Sequence, residues 1–296
     1  MKVYGLDFTS APTASTSQAI RQKRLKLAEC EFDNGELSVK GFRLLNGKSA
    51  GDFSAFEKWL NSAGPWVAGI DFPFGQPAEF VHFCGEPADW GGYVEGFAKS
   101  VKVDNTILPS FEFKVRLHMA IREEKGGKQL LSRACDRKAG SQSPMKLEFI
   151  PVGKMFAKGA HRLLRSSCQI LPMRPSQDNR LIFEAYPALV VRNYISRDSY
   201  KADDPNKQTK EHVDARKQIV NAIRSERKVK DQYGFTVQLT DEFANVCVAD
   251  VTGDTLDSIL CAMQGAWAWS KRESNYGIPV DASIKDEGWI VDPQMV

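Results

Sequence analysis

The amino-acid sequence predicts an α/β fold, a mixed sheet flanked by helices, and three observations carry that prediction. Separate apolar runs at residues 3–6, 66–70 and 181–183 each end on a carboxylate, Asp7, Asp71 and Glu184. Two alternating runs, 25–32 and 36–44, flank Asp33-Asn34-Gly35. Alternation interrupted by Asn-Gly signals a hairpin, because both residues accept the positive φ that a tight turn needs. A late stretch, residues 252–269, has helical periodicity and is apolar around most of its circumference, as a buried helix must be.

The remaining elements follow in chain order. Residues 54–62 place Phe56, Trp59 and Leu60 on one helical face, so the chain opens strand, strand, strand, helix, strand. Phe72-Pro73-Phe74-Gly75 turns the chain, and helices are predicted over 94–103, 114–124 and 159–165. The stretch 126–180 is rich in Gly, Ser, Pro and basic residues and predicts little regular structure. After Glu184, Tyr186-Pro187 starts a helix, Pro being well suited to a first turn. A long charged helix is predicted over 209–227, with Val213, Ile219, Val220 and Ile223 as its apolar stripe. No repeat interrupts this order, so residues 1–296 read as one domain with an insertion at about 76–178 between the fourth and fifth core strands.

Bulk composition narrows the class. Of 296 residues 42% are apolar and 26% charged, the balance of a globular protein rather than a disordered or membrane chain. No apolar run reaches the ~18 residues of a spanning helix, and no signal-peptide-like stretch follows Lys2. The six cysteines are scattered without a CxxC pair or zinc-like spacing, which predicts reduced thiols and a cytoplasmic protein without a membrane partner. His82 and Cys84 stand near each other but lack further ligands.

The acidic residues carry the chemistry. In an α/β sheet ligands bind at the carboxyl ends of strands, where Asp7, Asp71 and Glu184 are expected. Clustered carboxylates repel one another unless a cation sits among them, and Mg²⁺ or Mn²⁺ prefers such oxygen ligands. Asp254 and Asp257, spaced i and i+3, share one face of the late helix. Asp257 lies among Leu256, Ile259, Leu260 and Met263 and needs a partner there. Each acid taken singly also reads as a turn former, and Asp254 after Gly253 also reads as a helix N-cap.

Several motifs together carry a resemblance: VYGLDFTSAP, GIDFPFGQP, SPMKLEFIPVGKMFAKGA, FEAYPALVV, DTLDSILCAMQGA, and GIPVD with DEGWIV. They span residues 2–291 and resemble the ribonuclease H superfamily, more narrowly an uncharacterised family of predicted nucleases of that fold. The resemblance implies a central sheet of five strands and metal-dependent phosphodiester chemistry. It makes Asp7 and Asp71 metal ligands, with Asp257 completing the site and Glu184 as a further acidic member. Better-known nucleases of this fold also use an acid on the first helix. Here Glu57 is the only carboxylate in that predicted helix, and its surroundings do not support the role.

The insertion adds charge. Between Lys114 and Arg174, fourteen Lys and Arg stand against four Asp and Glu, about +10 in a chain whose total is +3. A basic lobe beside acidic metal ligands suits a polyanion, with phosphates on Lys and Arg and metal at the scissile bond. Lys146 and Lys154, read as lying in the loops SPMK and PVGK, are the first candidates for phosphate contact, with Arg137 and Lys138. Phe149 and Phe156 are aromatics that could stack on bases. The expected activity is hydrolysis of nucleic acid, DNA or RNA, by two Mg²⁺ or Mn²⁺ ions about 4 Å apart. A non-catalytic nucleic-acid-binding protein on the same fold and an actin-like ATP-dependent phosphotransferase are the alternatives. The phosphotransferase fits less well, because neither a domain duplication nor a Gly-rich phosphate loop is visible.

Overall fold

The computed structural model describes residues 1–10, 25–45, 51–103, 106–196, 199–202, 204–281 and 284–296. Its strands are β1 (Lys2–Asp7), β2 (Lys26–Asp33), β3 (Glu36–Leu44), β4 (Trp66–Asp71), β5 (Ser100–Val103), β6 (Thr106–Pro109), β7 (Gln169–Leu171), β8 (Arg180–Glu184) and β9 (Thr236–Gln238). Seven of them form one mixed sheet in the order β7-β8-β4-β1-β2-β3-β9, and β5 pairs with β6 apart from it. β2 runs antiparallel to β1 and β3, while the other pairs of the large sheet are parallel. The expected hairpin forms at Asn34 and Gly35, with φ of 46° and 77°.

The sheet is two strands wider than expected. β7 and β9 are three residues each and sit at the two edges. Runs this short carry no readable alternation, and pairing with a neighbouring strand is what makes them strands.

Helices cover both faces. Val3, Val67, Leu181 and Phe183 face the long helix Asp254–Ser270, while Leu6, Ile70 and Ile182 face the helix Ser54–Leu60 and the insertion helices Trp90–Ala98 and Val152–Arg165. The late helix lies directly on the backbone of β1 and β4, because their paired residues Gly5 and Gly69 have no side chains. A Cβ on Gly5 would stand 1.9 Å from the Ser258 carbonyl oxygen, and one on Gly69 would stand 2.2 Å from that of Cys261. No real Cβ tolerates such distances, so Gly-x-Asp in β1 and β4 is both a packing signature and a site signature.

Helix boundaries moved where tertiary contacts decided them. The segment expected as one helix over 209–227 divides into Lys210–Ile223 and Glu226–Tyr233. Ile223 and Val229 are both fully buried, yet on a continuous helix they would point about 120° apart. The helix expected over 94–103 occupies Trp90–Ala98, its N-terminus fixed by the Asp89 side chain accepting from the Gly92 N–H. The helix expected from 159 begins at Val152.

Candidate functional site

Parallel pairing of β1 with β4 sets Asp7 in register with Asp71 at the carboxyl ends of both strands. Two residues beyond Gly5 and Gly69, both side chains emerge on the face covered by the late helix. That helix begins after Gly253, whose φ of 75° lets the chain turn sharply into it. Asp254 and Asp257 occupy its first turn, where the helix dipole favours negative charge. Gly253 rather than Asp254 is the N-cap residue, and Asp250 holds the entry by accepting from the Thr252 and Thr255 hydroxyls.

The acids of β1, β4 and the late helix feel one another. Burial pushes the Asp7 carboxyl well above the usual range, and Asp254, Asp257 and Asp71 add to the rise. Burial pushes Asp71 up to about 8, with Asp257 and Glu184 contributing. Lys201 opposes both shifts. Its Nζ lies 2.6 Å from Asp257 Oδ2, while the Tyr200 hydroxyl donates to Asp257 Oδ1 at 2.5 Å. Burial disfavours the ammonium, but Asp257, Tyr200 and Asp7 override it and hold the Lys201 pKa well above its usual value. One turn along the helix, burial and the carboxylates Asp71, Asp7 and Asp257 push the Cys261 thiol well above its usual value.

Glu184 goes elsewhere. Register pairs it with Ile70 rather than with Asp71, so its side chain starts from the opposite face of the sheet. There Arg133 grips it with two bonds, Nη2 to Oε1 at 2.6 Å and Nη1 to Oε2 at 2.8 Å, and the Phe74 N–H donates to Oε2 at 2.9 Å. Arg133 also binds Asp136 through Nε and Nη2. Burial raises the Glu184 pKa, and the Arg133 guanidinium pulls it back.

The basic candidates separate in the same way. Lys138 donates to the Met295 carbonyl at 2.8 Å and lies over the Trp289 ring, which ties it to the C-terminal segment. Arg137 is exposed and donates to the Ser132 carbonyl. Lys146 lies in a loop as expected and donates to Gln142 Oε1 at 2.8 Å. Lys154 lies in the first turn of the helix Val152–Arg165, not in a loop, because Pro151 precedes a helix that starts earlier than its sequence suggests. Within that helix Lys158 donates to the Ser10 carbonyl at 3.0 Å, and Gly159 packs against Phe72, so its basic face borders the segments that follow Asp7 and Asp71. Phe156 is buried and packs against Phe111, whereas Phe149 is 98% exposed. Glu57 pairs with Arg162 at 2.9 Å.

Sequence reasoning missed Tyr200, Lys201, Arg133 and Asp136. The i,i+3 spacing of Arg133 and Asp136 was a legible signal of an ion pair, but nothing local marks Lys201. The carboxylates of Asp7, Asp71 and Asp257 are the oxygen donors that could hold a divalent cation. Among the described residues, however, no group of three or more His, Cys, Asp and Glu already stands in metal-coordinating geometry. All six cysteines are free thiols. No helix among the described residues is long and apolar enough to cross a membrane. A surface hollow lined by Met1, Lys2, Phe32 and Trp269 opens at the start of β1, the opposite end from Asp7. No family model matches the chain, and no curated protein or solved structure matches it.

Proposed function

We propose that the chain is a metal-dependent nuclease whose site is built on Asp7, Asp71 and Asp257. The observation that carries this reading is the charge imbalance at the end of β1 and β4. Burial, with Asp254, Asp257 and Asp71, pushes the Asp7 carboxyl up, burial with Asp257 and Glu184 pushes Asp71 up, and Lys201, paired with Asp257, opposes both shifts. An all-oxygen donor set fits Mg²⁺ or Mn²⁺ better than zinc or copper, which favour nitrogen and sulfur. When bound, such a cation supplies an activated water and charge stabilisation at the leaving oxygen. Asp7 and its register partner Asp71 would be the principal ligands, and Asp257, whose oxygens accept from Tyr200 and Lys201, would give up one of those bonds to join them. Glu184, saturated by Arg133 and the Phe74 N–H, fixes the ends of β4 and β8 rather than binding the ion.

The basic helix Val152–Arg165 supports a nucleic-acid substrate. Lys158 borders the segment after Asp7, and Lys154 lies one turn further out on the same helical face, a spacing suited to successive phosphates. The reading of β3-β2-β1-β4-β8 as a ribonuclease-H-like sheet, with β7 and β9 as additions, belongs to the same proposal.

Calorimetric titration of Mn²⁺ into the wild type and into Asp7→Asn tests it, followed by incubation of both with labelled DNA and RNA oligonucleotides. Wild-type binding and Mn²⁺-dependent cleavage, both lost in a folded Asp7→Asn protein, are expected. Cleavage retained by pure Asp7→Asn, or no binding to the wild type with or without oligonucleotide, overturns the reading.

A further inference from the structure

We infer that the loop tip at residues 148–150 is a stacking platform for a base of single-stranded nucleic acid, with Phe149 as the ring on which the base lies. This rests on the nucleic-acid substrate proposed above, but not on a cation at the acids.

The tip rises from a fixed base. The Gly153 N–H donates to the Lys146 carbonyl at 2.8 Å, which closes residues 147–152 into a short loop. A Cβ on Gly153 would stand 2.9 Å from that carbonyl oxygen, so only glycine allows so close a closure. Beneath it Met145 and Leu147 are buried, and the buried Gln76 donates through Nε2 to the Pro144 carbonyl at 3.0 Å. Beyond the closure the loop turns its apolar residues outward, with Ile150 54% exposed and Phe149 98%. Phe149 also holds a φ of 63°, a left-handed conformation that bulky side chains rarely adopt. Glycine would suit that backbone better, and a polar side chain would suit the solvent better. Folding therefore does not explain an exposed ring in this conformation, which points to a contact with a partner.

The charge beside the ring names the partner. The tip's own acid, Glu148, stands 3.5 Å from Arg116, which offsets it. Lys146 precedes the tip, and Lys154 follows it in the first turn of the helix Val152–Arg165. Lys158, one turn further along the same face, donates to the Ser10 carbonyl in the segment after Asp7. A row of lysines thus leads from the end of β1 toward Phe149, along about 9 Å of helix between Lys158 and Val152. Phosphates that follow this row bring an unpaired base onto the ring, and stacking on an aromatic plane accepts any base. In a duplex the base faces are already covered by their neighbours. A lipid surface rewards apolar area, of which Phe149 and Ile150 offer little, and it gives no reason for lysines leading inward to the acids.

Fluorescence anisotropy in chelator tests this, with a labelled oligonucleotide that is single-stranded or annealed to its complement. The proteins are the wild type, Phe149→Ala, Phe149→Leu and Phe149→Trp. Phe149→Ala and Phe149→Leu should each weaken single-strand binding about tenfold, the loss of one stacked base. Phe149→Trp should bind at least as tightly as the wild type, and the single strand should quench its added emission. Duplex affinity and melting temperature should stay the same in all four. Unchanged single-strand affinity in Phe149→Ala, full affinity in Phe149→Leu, or an equal loss with duplex overturns the platform. Binding to anionic phospholipid vesicles that is lost in Phe149→Ala, with oligonucleotide affinity unchanged, overturns it in favour of a membrane. No single-strand binding by the wild type overturns both the platform and the nucleic-acid substrate. Because the assay runs in chelator, a failure of Asp7 and Asp71 to bind Mn²⁺ leaves the platform standing.

Discussion

Two groups of buried carboxylates lie at the same end of the sheet, on neighbouring strands. On β8, Glu184 joins Asp136 around Arg133, whose guanidinium meets both acids in forked geometry while a backbone N–H takes a further lone pair. On β1 and β4, Asp7 and Asp71 stand in register, burial and neighbouring carboxylates push both up, and Lys201, paired with Asp257, opposes the rise. Both groups are removed from water, but Arg133 bonds directly to both acids of the complete group, whereas in the incomplete group Lys201 bonds to Asp257 and the Asp7 and Asp71 carboxyls are pushed above their usual range. A protein that buries acids for structural purposes pairs them, because an unpaired buried charge costs several kcal/mol. The incomplete group is therefore the one that points to function.

The largest effect should come from unbalancing the complete group. Arg133→Met strands Glu184 and Asp136 in a buried setting and should cost about 3–5 kcal/mol, measured by urea unfolding. A loss under about 1 kcal/mol would mean that the Arg133 cluster is not the structural member of the pair. Next comes the pH dependence of the incomplete group. Asp7 and Asp71 hold protons in the folded state that the unfolded chain releases, so their contribution is full below the ordinary aspartate value near 4. It is lost as pH rises through the folded value, about 8 for Asp71. In chelator the protein should thus melt at a higher temperature at pH 5 than at pH 8, and Mn²⁺ should narrow the gap. Equal melting temperatures in chelator would show that the acids are neutralised already. The smallest effect concerns the approach to the incomplete group. Lys154→Ala should leave stability within about 0.5 kcal/mol and lower the salt slope of oligonucleotide binding by about one. An unchanged slope would place the strand on another face.

Much of this was legible beforehand, for identifiable reasons. The strands ending at Asp7, Asp71 and Glu184, the Asn34-Gly35 hairpin and the buried late helix all announce themselves through local periodicity and turn chemistry. Glu184 shows where such reading stops. It follows an apolar run just as Asp71 does, but a one-residue offset in pairing sends it to the other face and into the hands of Arg133. Lys154 shows the same limit at a helix boundary, and Phe149 and Phe156 show it for burial, seven residues apart in sequence and opposite in exposure.

The sequence by itself determined the strand and helix periodicities, the two Gly-x-Asp strand ends and the basic character of the insertion, because each is a property of neighbouring residues. Only the tertiary structure decided that Asp7 lies beside Asp71, that Arg133 pairs with Glu184, and that Lys201 pairs with Asp257. Register across strands and the partner of a buried charge are set by contacts between residues tens to more than two hundred positions apart, and no local pattern encodes which of them will meet.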